Sequence, residues 1–254
     1  MEEQKFTKEE LAALREKGFL INRGTRCFSG RVITGFGRLD GEKLAAVGQA
    51  ARQFGDGNVS LTTRLTLEVT GIPYEAIEPF RAFLREHGLT TGGSGNHIEA
   101  IVACKATTCR FGMLDSYAIG KELYERFFLG YREVTLPKKF KIAVGGCPNN
   151  CAKPDLNDVG ITAWRHGYKI SVGGRWGHKR IQGKTLEPLF EDLEAVMTVV
   201  ENAILLYKEQ GLPTERFADT VERLGFETVQ AQLLSEELQA RKHRILAGAA
   251  PARQ

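Results

Sequence analysis

The apolar positions of this chain change period along its length, and the changes mark out its elements. Thr7-Lys8-Glu9-Glu10 is a capping box that opens an amphipathic helix through Leu11 and Leu14 to Lys17. Residues 19–34 are irregular, with Arg23, Arg26 and Arg31 among glycines ahead of Val32-Ile33-Thr34. A helix is predicted from Gly41 to Phe54, with Leu44, Val47 and Ala51 on one face. Residues 59–69 alternate apolar and polar, which predicts one strand with a single apolar face. Pro73-Tyr74 starts another helix that ends near His87-Gly88. Residues 19–91 therefore read as β-α-β-α-β, a small open-sheet unit.

Thr91-Gly92-Gly93-Ser94-Gly95 is the linker candidate. Beyond it the pattern predicts a buried strand over 98–104, a helix over 113–129, and a strand over 140–144 running into Gly145-Gly146-Cys147. Strands over 159–164 and 168–172 form a hairpin about Gly167. A long helix follows from Leu186 to Gln210, then a helical tail over 217–246. There is no internal repeat and no low-complexity stretch. The class is α/β (α+β), with expected divisions at 1–92, 93–230 and a helical tail over 231–254.

Composition narrows the function classes. The chain has 254 residues, 42% hydrophobic and 26% charged, enough for one large domain or two small ones with proper cores. No apolar run approaches the roughly 20 residues that span a bilayer, so no membrane partner is expected. The N-terminal residues lack the basic and apolar regions of a signal peptide, so a cytoplasmic location is expected. In that reducing setting clustered cysteines bind metal or do chemistry more often than they pair. The net charge of +4 suits an anionic substrate or cofactor. No Lys/Arg block of the kind found in nucleic-acid-binding arms is present.

Four of the five cysteines stand in two close pairs, Cys104 with Cys109 and Cys147 with Cys151. Four thiolates can close a tetrahedral shell around zinc or hold the corners of a [4Fe–4S] cluster, and the spacing permits both. Gly145-Gly146 ahead of Cys147 lets backbone approach a bulky group and turn N–H groups toward its sulfur atoms. Cys27, unpaired, reads as a small buried hydrophobe.

Residues 136–151, ending Gly145-Gly146-Cys147-Pro148-Asn149-Asn150-Cys151, resemble the siroheme-binding segment of nitrite and sulfite reductases. Further stretches agree in order. Residues 26–34 resemble that family's first anion-binding loop, and Leu61-Thr62-Thr63-Arg64-Leu65-Thr66 its signature strand. Asp158-Val159-Gly160-Ile161 and Val172-Gly173-Gly174 also match. The resemblance covers roughly residues 18–230 and is nearest to the siroheme portion of NAD(P)H nitrite reductases and to small, single-repeat sulfite reductases. It implies a ferredoxin-like N-terminal unit followed by a siroheme and [4Fe–4S] mixed-sheet domain with C-terminal helices.

The resemblance also implies roles. Cys104, Cys109, Cys147 and Cys151 would hold a [4Fe–4S] cluster, with Cys151 bridging to the siroheme iron. Lys139 and Lys141, alternating on one strand face, would meet the substrate anion, together with Arg26, with Arg31 as the runner-up. Arg64, Asn149 and Arg180 would bind siroheme or its carboxylates. The implied reaction is six-electron reduction of sulfite to sulfide. Nitrite reduction to ammonia, or a non-catalytic electron-transfer subunit, are the alternatives. No Gly-x-Gly-x-x-Gly fingerprint or second cysteine run is present, so electrons would come from an external donor, a ferredoxin or a reductase subunit.

Three departures from the family pattern stand out. The first cysteine pair encloses four residues where the family has five. Glu99 stands five residues before Cys104, where the family often has arginine. An acid there repels a substrate anion unless it is protonated, paired or turned away, and His97 on the same strand face could substitute as donor. Larger members carry two pseudo-repeats where this chain has one, so a homodimer or higher oligomer is expected to complete the architecture.

Overall fold

The computed structural model describes residues 6–248 and divides the chain into two compact units, Met1–Gly95 and Asn96–Gln254. In the first, α1 (Lys8–Glu16) is opened by the expected capping box. Thr7 Oγ1 accepts the Glu10 N–H at 3.1 Å and Glu10 Oε2 accepts that of Thr7 at 2.7 Å. The stretch read as irregular is in fact a hairpin of β1 (Phe19–Ile21) and β2 (Phe28–Ile33), with Phe19 opposite Gly30. Arg23, Gly24 and Arg26 lie at the tip, Gly30 and Arg31 stand within β2, and Phe19, Phe28 and Val32 are buried and supply the strand signal.

Helix α2 (Gly41–Phe54) is capped by Asp40 and lays Ala46, Val47, Ala50 and Ala51 into the core. Leu44, expected on that face, is exposed. The alternating stretch over 59–69 is two strands, β3 (Val59–Leu61) and β4 (Leu67–Ile72), paired antiparallel with Leu61 opposite Leu67. The reversal needs no glycine. Thr62 and Thr66 join backbones at 3.0 Å and hydroxyls at 2.7 Å, and Leu65 takes φ +58°. The sheet runs β1-β2-β4-β3, and β5 (Thr90–Thr91) pairs with the far end of β2. Helix α3 (Ile77–Glu86) completes the layer, burying Ile77, Phe80 and Leu84 in the same core.

The second unit is built on a five-stranded mixed sheet in the order β10-β9-β8-β7-β6. Strands β6 (Val102–Ala103), β7 (Ile142–Gly145) and β8 (Val159–Trp164) run parallel, and β9 (Gly167–Val172) returns antiparallel to β8. Short β10 (Lys184–Thr185) closes that edge. Helix α4 (Ser116–Leu123) begins where Asp115 Oδ1 accepts the N–H groups of Tyr117 and Ala118, and it runs on into a π-helical turn, Tyr124–Leu129.

Helix α5 (Leu193–Gln210) is apolar nearly all round and buried to match. It begins seven residues later than expected because Phe190 pairs with Tyr168 of β9 and Asp192 caps the helix at Ala195. Helices α6 (Phe217–Leu224), α7 (Phe226–Leu234), α8 (Glu237–Ala240) and α9 (Lys242–Ala247) pack around it. Phe140, Tyr207 and Phe217 form an aromatic trio with centroids 5.3–5.8 Å apart, seating α5 and α6 on the start of β7. Among the described residues, no helix is long and apolar enough to cross a membrane.

Candidate cluster and anion-binding site

Parallel pairing brings the two cysteine pairs together. Ala103 of β6 stands opposite Val144 of β7, so Cys104 and Gly145-Gly146-Cys147 leave neighbouring strands at the same end. The C-terminal edge of parallel strands is where open α/β sheets place their ligands. The Cys104 N–H donates to the Val144 carbonyl at 3.0 Å, and the Gly146 N–H donates to Cys104 Sγ at 3.1 Å. The Met113 N–H donates to the Gly146 carbonyl at 2.9 Å, tying the loop that follows Cys109 to the second pair.

Position 146 admits no side chain. A Cβ there would stand 1.8 Å from Cβ of Ala106 and 3.5 Å from Cys104 Sγ. Ala106 lies in the one-turn helix inside the first cysteine pair, so the two loops interlock through this glycine.

All five cysteines are free thiols. Cys104, Cys109 and Cys147 are half-buried, and Cys151 is exposed. Among the described residues no three His, Cys, Asp or Glu side chains close on a single-ion site. The donor chemistry fits an iron–sulfur group: four soft thiols on two interlocked loops, with a backbone N–H already directed at one sulfur. Cys151, as the exposed thiol, has the access required of a sulfur that also meets a second centre.

On either side of Cys151 the chain turns through Asn150 and Lys153, both with φ near +50°. Asn150 Nδ2 donates to Asp155 at 2.8 Å, which makes it a turn-former, and Asn149 is exposed. Lys153 Nζ and the Arg180 guanidinium both lie over the Trp176 ring, at 5.5 and 5.8 Å from its centroid. The structure thus brings Arg180 beside the second cysteine loop, and adds Lys153, which sequence reasoning missed. Two exposed cations on one half-exposed indole suit the carboxylates of a siroheme.

At the other end of β7 stand the lysines. Ile98 bridges in parallel to Phe140, Glu99 N–H donates to the Phe140 carbonyl at 2.8 Å, and Phe140 N–H to that of His97 at 3.0 Å. Glu99 is thereby held beside Lys139 and Lys141. Lys139 Nζ is 3.5 Å from Glu99 Oε1, and Lys141 Nζ is 3.8 Å from Oε2. The side chains are 45%, 17% and 7% exposed for Lys139, Lys141 and Glu99. The two lysines share a side, as their alternation implies, and the acid at 99 is paired with both. His97 Nδ1 lies 3.1 Å from the Val134 carbonyl, so that nitrogen carries the ring proton in the neutral form.

A deeper pair anchors Lys141, and sequence reasoning missed it. Asp158 is fully buried. Its Oδ2 accepts the Lys141 backbone N–H at 2.8 Å and Arg216 Nη2 at 2.7 Å. Burial pushes the Asp158 carboxyl above its ordinary range, against the pull of Arg216. The partners lie 58 residues apart in sequence, and no periodicity links them.

In the first unit, Arg64 sits in the β3–β4 turn, with its N–H on Thr62 Oγ1 at 3.2 Å. Arg26 lines a cleft of about 360 Å³ with Phe6, Cys27, Pro73, Tyr74 and Glu75. Cys27 is half-buried at that cleft. Arg31, the runner-up for the anion, donates to Glu68 at 2.8 and 2.9 Å and to the Gly93 carbonyl at 2.8 Å.

Comparison with known proteins agrees with this architecture. The family described as "Nitrite and sulphite reductase 4Fe-4S domain" matches residues 94–242, and "Nitrite/Sulfite reductase ferredoxin-like half domain" matches residues 22–87. The chain belongs to the nitrite and sulphite reductase family. It is 28% identical over 221 residues to an assimilatory-type sulfite reductase of Nitratidesulfovibrio vulgaris, covering 86% of this chain and 97% of that protein. An uncharacterized protein of Methanocaldococcus jannaschii is 32% identical over 146 residues, 58% of this chain and 50% of that protein. The chain therefore spans half of one such relative and nearly all of the other. Among solved structures, dissimilatory sulfite reductase I matches with a TM-score of 0.73 at 16% identity, over 82% of this chain and 69% of that one. Mycobacterium tuberculosis NirA matches with a TM-score of 0.76 at 19% identity, over 98% and 50%.

Proposed function

We propose that this chain is a siroheme- and [4Fe–4S]-dependent reductase that converts sulfite to sulfide with electrons from an external donor. The observation that carries the reading is the meeting of Cys104 with Gly146-Cys147 at one end of β7, while Lys139 and Lys141 stand at the other. Cys104, Cys109, Cys147 and Cys151 would hold the cluster, and Cys151 would also ligate the siroheme iron. When bound, the two groups supply the electron path and the iron that takes the substrate. Arg64, Asn149 and Arg180 would answer the siroheme carboxylates, and Arg26 the substrate anion. Lys139 and Lys141 attract the oxyanion and hold protons at Nζ for the departing oxygens. A ferredoxin or a reductase subunit would be the donor, and a homodimer the working form.

Nitrite reduction is the second reading, and Glu99 favours it. The carboxylate offsets one of the two lysine charges, which suits a singly charged substrate. The test is the visible spectrum of anaerobically purified protein, with iron and acid-labile sulfide counted on the same sample. Siroheme bands with about five irons and about four sulfides per chain support the reading. A four-iron content without those bands supports an electron-transfer subunit, and zinc overturns the proposal.

A further inference from the structure

We propose that Asp155 is a positioning residue for the siroheme: bonded to Asn150 on one side and to Gln182 on the other, it holds the loop carrying Trp176 and Arg180 against the second cysteine loop. The inference rests on the reading of this chain as a siroheme protein whose Arg180 meets the siroheme carboxylates.

The loop that joins β9 to β10 has little of its own to fix it. From Arg175 to Gly183 no residue is buried, and Trp176 is 52% exposed. Arg175 and Ile181 exchange backbone hydrogen bonds at 2.8 and 2.9 Å, which closes the loop on itself without setting where it stands. With no apolar anchor, polar contacts at its base must set its position.

Asp155 makes those contacts from the turn that follows Cys151. Its Oδ2 accepts Gln182 Nε2 at 3.0 Å, and its backbone carbonyl accepts the Gly183 N–H at 2.7 Å. Its Oδ1 accepts Asn150 Nδ2 at 2.8 Å. Asn150 directly precedes Cys151, and Gln182 stands two residues past Arg180. One carboxylate therefore joins the cysteine loop to the loop that carries Arg180. A Cβ at Gly174 would stand 2.4 Å from the Asp155 carbonyl oxygen, so the loop leaves β9 pressed against this turn. Across the junction Lys153 and Arg180 share the Trp176 ring, at 5.5 and 5.8 Å from its centroid. The loop's ion pairs run the other way, from Arg175 and Lys179 to Asp219 and from Lys179 to Glu222 on α6.

Hydrogen bonds to an ionised carboxylate are stronger than those between neutral groups, and two on one carboxylate fix direction as well as distance. Without them Lys153 stays with Cys151 while Arg180 moves with its loop. The two cations then no longer face one ligand together.

The test uses anaerobically purified holoprotein. Siroheme absorbance and acid-labile sulfide are measured on one sample, and hydrogen exchange is read by peptide mass spectrometry. In Asp155→Ala, and in Gln182→Ala at an exposed position, siroheme per sulfide should fall several-fold. Exchange over residues 174–183 should rise, while sulfide per chain and exchange in α5 stay native. Asp155→Asn keeps an acceptor for Asn150 and can donate to a turned Gln182 amide, so it should keep most of the siroheme. Glu222→Gln loosens the far side of the same loop at an exposed ion pair and should leave siroheme per sulfide unchanged. Unchanged siroheme or unchanged exchange in both alanine variants overturns the inference alone. So does a siroheme loss in Asp155→Asn or Glu222→Gln equal to that in Asp155→Ala. Loss of sulfide along with siroheme in both alanine variants makes Asp155 a prop of the cysteine loop and overturns it too. Native protein with full sulfide and no siroheme overturns the siroheme reading, and the inference with it.

Discussion

The backbone N–H of Lys141 donates to the buried carboxylate of Asp158 at 2.8 Å, and the Lys141 carbonyl accepts the Val159 N–H at 3.0 Å, which ties this lysine's backbone to the start of β8. The same carboxylate oxygen meets Arg216 at 2.7 Å, whereas Asp158 Oδ1 and Arg216 Nε are buried without hydrogen-bond partners. Breaking such a pair leaves a charge stranded in low dielectric, whereas removing both partners together does not. Asp158→Asn and Arg216→Met should each lose about 3 kcal/mol in urea unfolding. The double variant should lose clearly less than the sum. Additive losses would show that the two side chains are not coupled.

Gly146 makes a sharper prediction, because the obstacle is another residue's Cβ. In Gly146→Ala the new methyl meets Ala106 at 1.8 Å, so the two cysteine loops must part. Iron and acid-labile sulfide should fall well below the native content, and the thermal midpoint should drop. Ala106→Gly in the same chain removes the clash and should restore part of the iron. Native iron content in the single variant would show that the loops are not interlocked as described.

Cysteine substitutions separate the four paired thiols from the fifth. Serine at Cys104, Cys109, Cys147 or Cys151 replaces a soft thiolate with a poor ligand for iron, so each variant should lose most of its cluster absorbance. Cys27→Ser, altering a half-buried thiol in the other unit, should keep native iron. Retention of the full iron content in any of the first four variants would remove that cysteine from the ligand set.

How far this site can be read from sequence depends on the distance over which each signal acts. Thr7 announces its helix because capping is local. The alternation over 59–69 is equally local, yet it misleads. Leu61 and Leu67 are cross-strand partners, so the apolar rhythm passes unbroken through a turn marked only by threonines and Leu65. The cysteine pairs were legible as chemistry, but their meeting needs the parallel register of β6 on β7. The pairing of Glu99 with both lysines follows from the bridge of Ile98 to Phe140, one residue out of step with the register of β6 on β7. Arg216 lay beyond reach, since nothing in residues 158 and 216 marks them as partners until α6 folds onto the sheet.

Acid stability should turn on Glu215 at the start of α6. Its oxygens accept from Arg223 Nε at 2.8 Å and Nη2 at 2.9 Å, from the Leu212 N–H at 3.0 Å and from Thr220 Oγ1 at 2.9 Å. The Arg223 guanidinium, with these further donors, holds the Glu215 carboxyl down to about 2 from an ordinary 4.5, against the opposing effect of burial. A carboxyl depressed in the folded state stabilises the fold at pH values above its unfolded pKa, and that contribution fades as pH falls toward the folded value. Between about pH 4.5 and about 2 the native protein should therefore lose stability as Glu215 takes up a proton. Glu215→Gln has no such proton to take up. It should start less stable at pH 7 by at most a few kcal/mol, and the gap to the native protein should narrow as pH falls through that window. Urea midpoints of both proteins at pH 7 and at intervals down to pH 3 measure the gap. A gap that stays constant with pH would mean that Glu215 stabilises α6 by shape and neutral hydrogen bonding, and its charge would have no part in holding the helix that carries Arg223 and packs beside α5.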